Sequence, residues 1–148
     1  ITLANLNGDD LSGVPRLDIV ITDIQNGVRV LRNNRGANTH GSVSFDATPI
    51  VLPGTVGTVK ETVIGDLNRD GKPDLVLVGY GTNPERVFLN TTTPWPNSGA
   101  ISFTETSSYM PPTADDSEGG LLFDMDGDGD NDLLIYNNGQ DRLYKNLN

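Results

Sequence analysis

Residues 124–132 read DMDGDGDND, which places a carboxylate at every second position: Asp124, Asp126, Asp128, Asp130 and Asp132. Like charges about 4 Å apart repel by roughly 1 kcal/mol even in water, so this crowding calls for a cation. Residues 66–74 repeat the pattern with substitutions, as Asp66, Asn68, Asp70, Gly71, Lys72 and Asp74. Side-chain oxygens thus stand at loop positions 1, 3, 5 and 9, with Gly at position 6. A donor set of hard oxygens without His or Cys suits Ca²⁺, which takes about 6 to 8 oxygens in a flexible shell. Position 7 is Lys72, whose ammonium cannot ligate, so its backbone carbonyl must serve. By analogy the Asp130 carbonyl serves in the later loop, and the Asp130 carboxylate is spare. Gly71 and Gly129 permit the sharp turn this requires. An EF-hand shares the first half of the pattern but needs a Glu at position 12 and flanking helices. Here position 12 is Leu77 or Ile135, within β-rich runs.

A degenerate third copy comes first in the chain. Asn5, Asn7 and Asp9 fit positions 1, 3 and 5, but Asp10 replaces the Gly, and LSGVPR lengthens the loop before Asp18. Two neutral Asn side chains lower the charge of this site, so weaker calcium binding, or none, is expected there. The competing reading of every such loop is a plain turn, since Asx side chains cap backbone N–H groups and Gly tolerates positive φ. The matched spacing of the second and third loops weighs against it.

The elements that must hold these loops recur with them. LANLNGDDLSGVPRLDIVITDIQNGVRVLRNN, VIGDLNRDGKPDLVLVGYGTNPERVFLN and LFDMDGDGDNDLLIYNNGQDRLYKNLN each run from an apolar stretch through an Asp/Asn/Gly loop into a run opening Asp-Leu or Asp-Ile. A polar turn and a further run ending in Asn follow. DLVLVGY and DLLIYNN read as short buried strands, while ERVFLN, DRLYKN, AISFTETS and SVSFDATP alternate apolar and polar residues. No window holds a helical period for three turns. The unit is about four antiparallel strands, A to D, with the aspartate loop joining A to B. Tandem four-stranded units read as propeller blades, with repeats over about 1–48, 59–107 and 119–148.

Composition narrows the function classes. The 148 residues suit a single module with a net charge of −10, and eleven of the twenty acidic residues fall in the three loop clusters. Without those eleven the balance is +1, so the acidity is local. No Lys/Arg stripe offers itself to nucleic acid phosphates. Cysteine is absent, which removes disulfides and thiolate metal sites. No apolar run approaches the roughly 18 residues of a membrane span. The chain opens ITLANLNG without Met or a signal-like segment, as expected of a processed or excised piece.

GDLNRDGKPDLVLV and FDMDGDGDNDLLIY followed by LYKNLN resemble the FG-GAP/VCBS repeats of integrin α-like β-propellers. The resemblance implies an all-β propeller, usually of seven blades per ring, of which the repeats here supply about three antiparallel blades, the last lacking its outer strand. It also implies a Ca²⁺ in each A–B loop and an extracellular or cell-surface protein that adheres, binds ligands or accompanies an enzyme. Carried over to this chain, the ligands are Asp66, Asn68, Asp70, Asp74 and the Lys72 carbonyl, then Asp124, Asp126, Asp128, Asp132 and the Asp130 carbonyl. Asn5, Asn7, Asp9 and Asp18 form the weaker set.

Other chemistry is thin. His40 sits in the Gly/Asn-rich NNRGANTHGS without a nucleophile motif nearby, as a solvated loop residue would. Asp115, Asp116 and Glu118 of ADDSEGG could imitate a glycosidase carboxylate pair, but such a run is more often a solvated loop. Asn90 opens an Asn-Thr-Thr sequon. Trp95, between two prolines in a C–D loop, either displays its indole to a carbohydrate or protein, or folds over its own blade. Trp95 and His40 are expected on the calcium side, and the ADDSEGG and PGTVGTVK connections opposite.

The favoured reading is a non-enzymatic extracellular binding or structural module. The alternative is an accessory propeller of a secreted enzyme, such as a polysaccharide-degrading or phospholipase-like protein. By the loop alignment Ile1 matches Thr62 and Asn148 matches Asn90, which leaves the third blade without strand D. Three blades fall short of the roughly 4 to 8 that close a ring. Their open edges should be completed by further propeller sequence or by neighbouring copies, as an oligomer or filament.

Overall fold

A computed structural model describes residues 1–11, 13–34, 43–96, 99–106, 110 and 115–147. Three antiparallel sheets follow one another along the chain. In blade one, β1 (Thr2–Ala4), β4 (Asp18–Asp23), β5 (Gly27–Leu31) and β6 (Ile50–Val51) lie in that order. The small ribbon of β2 (Asp10–Leu11) and β3 (Val14–Pro15) interrupts its A–B connection. Blade two is β7 (Val59–Gly65), β8 (Asp74–Gly79), β9 (Arg86–Asn90) and β10 (Phe103–Thr106). Blade three has three strands, β11 (Ser117–Phe123), β12 (Asp132–Asn137) and β13 (Arg142–Tyr144). Among the described residues no helix is long and apolar enough to cross a membrane.

Blades one and two follow the expected A-to-D order, but strand D of blade one is irregular. Asn33 bridges Phe45, while Val30 pairs with Ile50 and Arg29 with Val51. Two extra residues therefore lie on the outer strand between the pairings, a bulge after Asp46, whose amide still donates to the Arg32 carbonyl and whose carboxylate accepts from the Arg32 guanidinium and the Asn34 side-chain amide. Blade one thus extends to Val51. Blade three opens at Ser117, so Ser117 to Gly120 of ADDSEGG are strand rather than loop.

Period-two alternation gives each middle strand two working faces. On β8, Leu75 and Leu77 join Phe88 in a core with Val20, Val28 and Val30 of blade one. Val76 and Val78 face the other way, with Val87, into a core with Leu133 and Ile135 of blade three. All six residues of β8 are buried, as a strand covered on both faces must be. Each buried Leu or Val side chain contributes roughly 1.5–3 kcal/mol. Burial between consecutive sheets is therefore what holds the blades in series.

Candidate metal loops

The second and third A–B loops are built by a ladder of Asp and Asn side-chain oxygens accepting from backbone amides. In the second loop the Asp66 carboxylate accepts from the amides of Asn68 (3.3 Å) and Gly71 (2.8 Å). The Asp70 amide donates to Asn68 Oδ1 (3.1 Å) and the Lys72 amide to Asp70 Oδ1 (3.0 Å). The third loop repeats this with Asp124 accepting from Gly127 (2.7 Å) and Gly129 (3.0 Å), Asp126 from Asp128, and Asp128 from Asp130. Successive turns of this kind point the side chains at 1, 3 and 5 toward one centre. Carboxylate oxygens of Asp124, Asp126 and Asp128 lie within 4.8 Å of one another. The chemistry of this donor set, three convergent hard oxygen ligands on an exposed loop, fits a hard divalent cation. Lys145 forms ion pairs with Asp126 and Asp128 and lends the cluster a positive charge. It also holds the Asp126 carboxyl below the usual carboxylate range.

Position 4 carries a demand that the sequence comparison did not single out. It adopts left-handed φ in all three loops: +67° at Gly8, +58° at Arg69 and +80° at Gly127. A non-glycine residue costs roughly 1 kcal/mol in that region. Arg69 occupies it nonetheless, and its guanidinium ion-pairs with the buried Asp130 of blade three and donates to the Asp128 carbonyl. The carboxylate read as spare is therefore the anchor of an inter-blade bridge.

Position 9 plays the same part three times. Asp18, Asp74 and Asp132 are fully buried. One oxygen accepts from the position-2 amide of its own loop, at Leu6 (2.8 Å), Leu67 (2.9 Å) and Met125 (2.9 Å). The other accepts from the amide that closes strand C, at Asn33 (2.8 Å), Asn90 (2.7 Å) and Asn146 (2.8 Å). These residues clamp the loop to the sheet, and each oxygen keeps a second lone pair for a cation. Burial pushes the Asp18 carboxyl up to about 6 against the lowering effect of its two N–H donors, and burial raises Asp74 as well. The clamp also corrects the expected alignment, because Asn146, not Asn148, is the counterpart of Asn90. Asp132 and Asn146 are 14 residues apart, against 16 for Asp74 and Asn90, since the B–C hairpin of blade three is shorter.

The same Asn side chains reach across to the preceding blade. Asn90 Nδ2 donates to the Leu6 carbonyl (2.8 Å), and Asn146 Nδ2 to the Leu67 carbonyl (2.8 Å). Strand C of blades two and three is thus stapled to position 2 of the loop before it. This role went unread in the sequence, although the recurrent terminal Asn was its visible trace.

Loop one differs in kind. Its β2–β3 ribbon returns Arg16 onto Asp9, with the amide on the Asp9 carbonyl (3.1 Å) and the guanidinium on Oδ2 (2.7 Å). Asn7 also donates to Asp9 Oδ2 (3.0 Å). Asn5 Oδ1 and Asp9 Oδ1 are nevertheless buried without a hydrogen-bond donor. Buried acceptors of that kind are costly, and a cation between positions 1 and 5 would satisfy both.

Trp95 is half-buried, with its ring against Gly8 of loop one. A Cβ built on Gly8 would meet Pro96 Cβ at 2.6 Å and the Trp95 ring at 3.2 Å. The indole is on the aspartate-loop side, as expected, and His40 lies outside the described residues. Connection 53–58 packs at the opposite end, where Gly57 donates to Ile24 in a B–C turn. Of the ADDSEGG acids, Asp115 pairs with Arg142 and Glu118 with Lys60. A recess of about 430 Å³ between blades two and three is lined by Leu67, Val76, Val87, Leu133 and Tyr144 and lies outside the acid cluster.

Serial antiparallel blades with an aspartate-rich A–B loop in each define a β-propeller-type module. A family profile for the FG-GAP-like repeat matches residues 6–77 and 66–135, and the chain belongs to that family. No curated protein and no solved structure matched the chain.

Proposed function

We propose that the chain is a calcium-stabilised binding or structural module, in which Ca²⁺ fixes the A–B loops on one face of the blades. The observation that carries this reading is the convergence of Asp124, Asp126 and Asp128, on a ladder whose bonds at positions 5, 6 and 7 loop two repeats. Asp66, Asn68, Asp70 and Asp74 with the Lys72 carbonyl would hold one ion, and Asp124, Asp126, Asp128 and Asp132 with the Asp130 carbonyl another. Asn5, Asn7, Asp9 and Asp18 would hold a weaker third, since two of its side chains are neutral Asn. The bound ion supplies charge compensation and rigidity. A non-catalytic role is supported by the pairing of Asp115 and Glu118 with basic partners. FG-GAP-like repeats occur typically in extracellular proteins, where millimolar calcium would fill such sites, and this motivates a secreted or cell-surface location.

Calcium titration calorimetry and thermal melting test the reading together. Two strong sites are expected, with a fall in Tm on adding EGTA that follows from ligand linkage. Asp70→Ala and Asp128→Ala should each remove one site. An unchanged Tm with EGTA, or unaltered stoichiometry in both variants, would sink it.

A further inference from the structure

Loops two and three are joined through the positions that stand between their candidate ligands. From loop two, Arg69 lies between Asn68 and Asp70, and its guanidinium pairs with the Asp130 carboxylate and donates to the Asp128 carbonyl. Asp130 is 2% exposed, and its own carbonyl is the position-7 ligand of the calcium reading. The contact is close, since a Cβ built on Gly129 would stand 3.1 Å from an Arg69 guanidinium nitrogen. From loop three, Asn131 lies between Asp130 and Asp132 and donates from Nδ2 to the Asp66 carbonyl (2.8 Å). Loops one and two lack both links. Position 4 of loop one is Gly8, which has no side chain to reach forward, and position 8 of loop two is Pro73, which has no side-chain donor to reach back. What they share with the later pair is the Asn90 staple to Leu6.

We infer that Arg69 is a positioning residue shared by two metal loops, so that filling either loop with Ca²⁺ raises the affinity of the other. The inference rests on the calcium reading of these loops. A cation in loop two fixes positions 3 and 5, and with them the Arg69 backbone that they flank. That backbone then holds the guanidinium on Asp130, so position 7 of loop three loses part of its freedom before an ion arrives there. The ordering cost is met once for both loops, and the second ion binds with less left to order. Repulsion between the two ions opposes the effect, but each ion is offset by at least three carboxylates of its own loop. Arg69 sits at φ +58°, a strain that glycine would avoid, and its contacts with loop three are what the side chain gains there.

Calcium calorimetry on the chain and its single-site variants tests it. Asp70→Ala, which disables loop two, should weaken calcium binding at loop three by about fivefold or more, and Asp128→Ala should weaken loop two by the same factor, as linkage requires. Arg69→Gly keeps the left-handed backbone that Gly8 and Gly127 adopt but removes the bridge. In that background both factors should fall to within about twofold of one, and the cycle cancels the plain charge change that Asp70→Ala makes near loop three. A loop-three affinity untouched by Asp70→Ala, or an undiminished factor in Arg69→Gly, would overturn the inference and leave the calcium reading standing. Absence of calcium binding in the unaltered chain would overturn both. If Arg69→Gly fails to fold, Asp130→Asn replaces it with the same outcomes required, since it keeps the Asp130 carbonyl and removes the charge that Arg69 pairs with.

Discussion

At the scale of single residues, the loops divide their acids by task. In the third loop the exposed carboxylates at positions 1, 3 and 5 converge, while in all three loops the buried one at position 9 clamps backbone. Asp18 shows the cost of the second task, since burial raises its pKa more than its two N–H donors and the nearby Arg32 charge lower it. Its pKa of about 6 in the folded chain exceeds the ordinary 3.8. The native state therefore holds this proton more tightly than the unfolded state does. The contribution to stability rises as pH falls from about 6 toward 4, and the ionised group costs on the order of 3 kcal/mol above pH 6. In the calcium-free protein the Asp18 carboxyl carbon should titrate in NMR with a midpoint near 6; a midpoint at or below 3.8 would contradict the assignment. Positions 1, 3, 5 and 9 were legible in the sequence because they recur. Arg16, Arg69 and Lys145 were not, because each is a unique residue whose partner is chosen by folding.

Among elements, strands A to C were legible from the Asp-Leu or Asp-Ile that opens each B strand and from the apolar alternation that follows. Strand D of blade one was only half legible, because a bulge hides its register, and ADDSEGG read as loop because Gly119 and Gly120 are poor strand formers. Gly119 has a packing reason to be there: the Tyr136 side chain lies across it, 2.0 Å from where a Cβ would stand. What joins one element to the next blade is the Asn staple. Asn90 is buried, donates to Leu6 and Pro73 carbonyls, and accepts from the Thr92 amide. Removing it leaves buried carbonyls unpaired, at about 1–3 kcal/mol for each group. Asn90→Ala should therefore cost about 2–4 kcal/mol in urea unfolding, and Asn146→Ala less, since its bonds are only partly buried. Equal and negligible losses would show that apolar burial alone holds the blades.

Across the whole molecule, the sequence period made the number of blades legible, while the polarity of the blade-to-blade contacts needed coordinates. Leu75 and Val76 are neighbours in the chain yet belong to different cores. That division makes blade two the only sheet covered on both faces among the described residues, so stability should be graded from the centre outward rather than uniform. Its strand β8 is hydrogen-bonded on both edges, by β7 and β9, and is buried throughout. By contrast β13 pairs only with β12, through three residues, two of which are exposed. Amide exchange reports the free energy of the smallest opening that frees each N–H. Under native conditions with calcium, the β8 amides should exchange only through global unfolding. The β13 amides should exchange through local fraying, at least about a hundredfold faster, a difference of roughly 2.7 kcal/mol or more in opening free energy. Protection of Leu143 equal to that of Leu77 would mean that a further strand covers that edge.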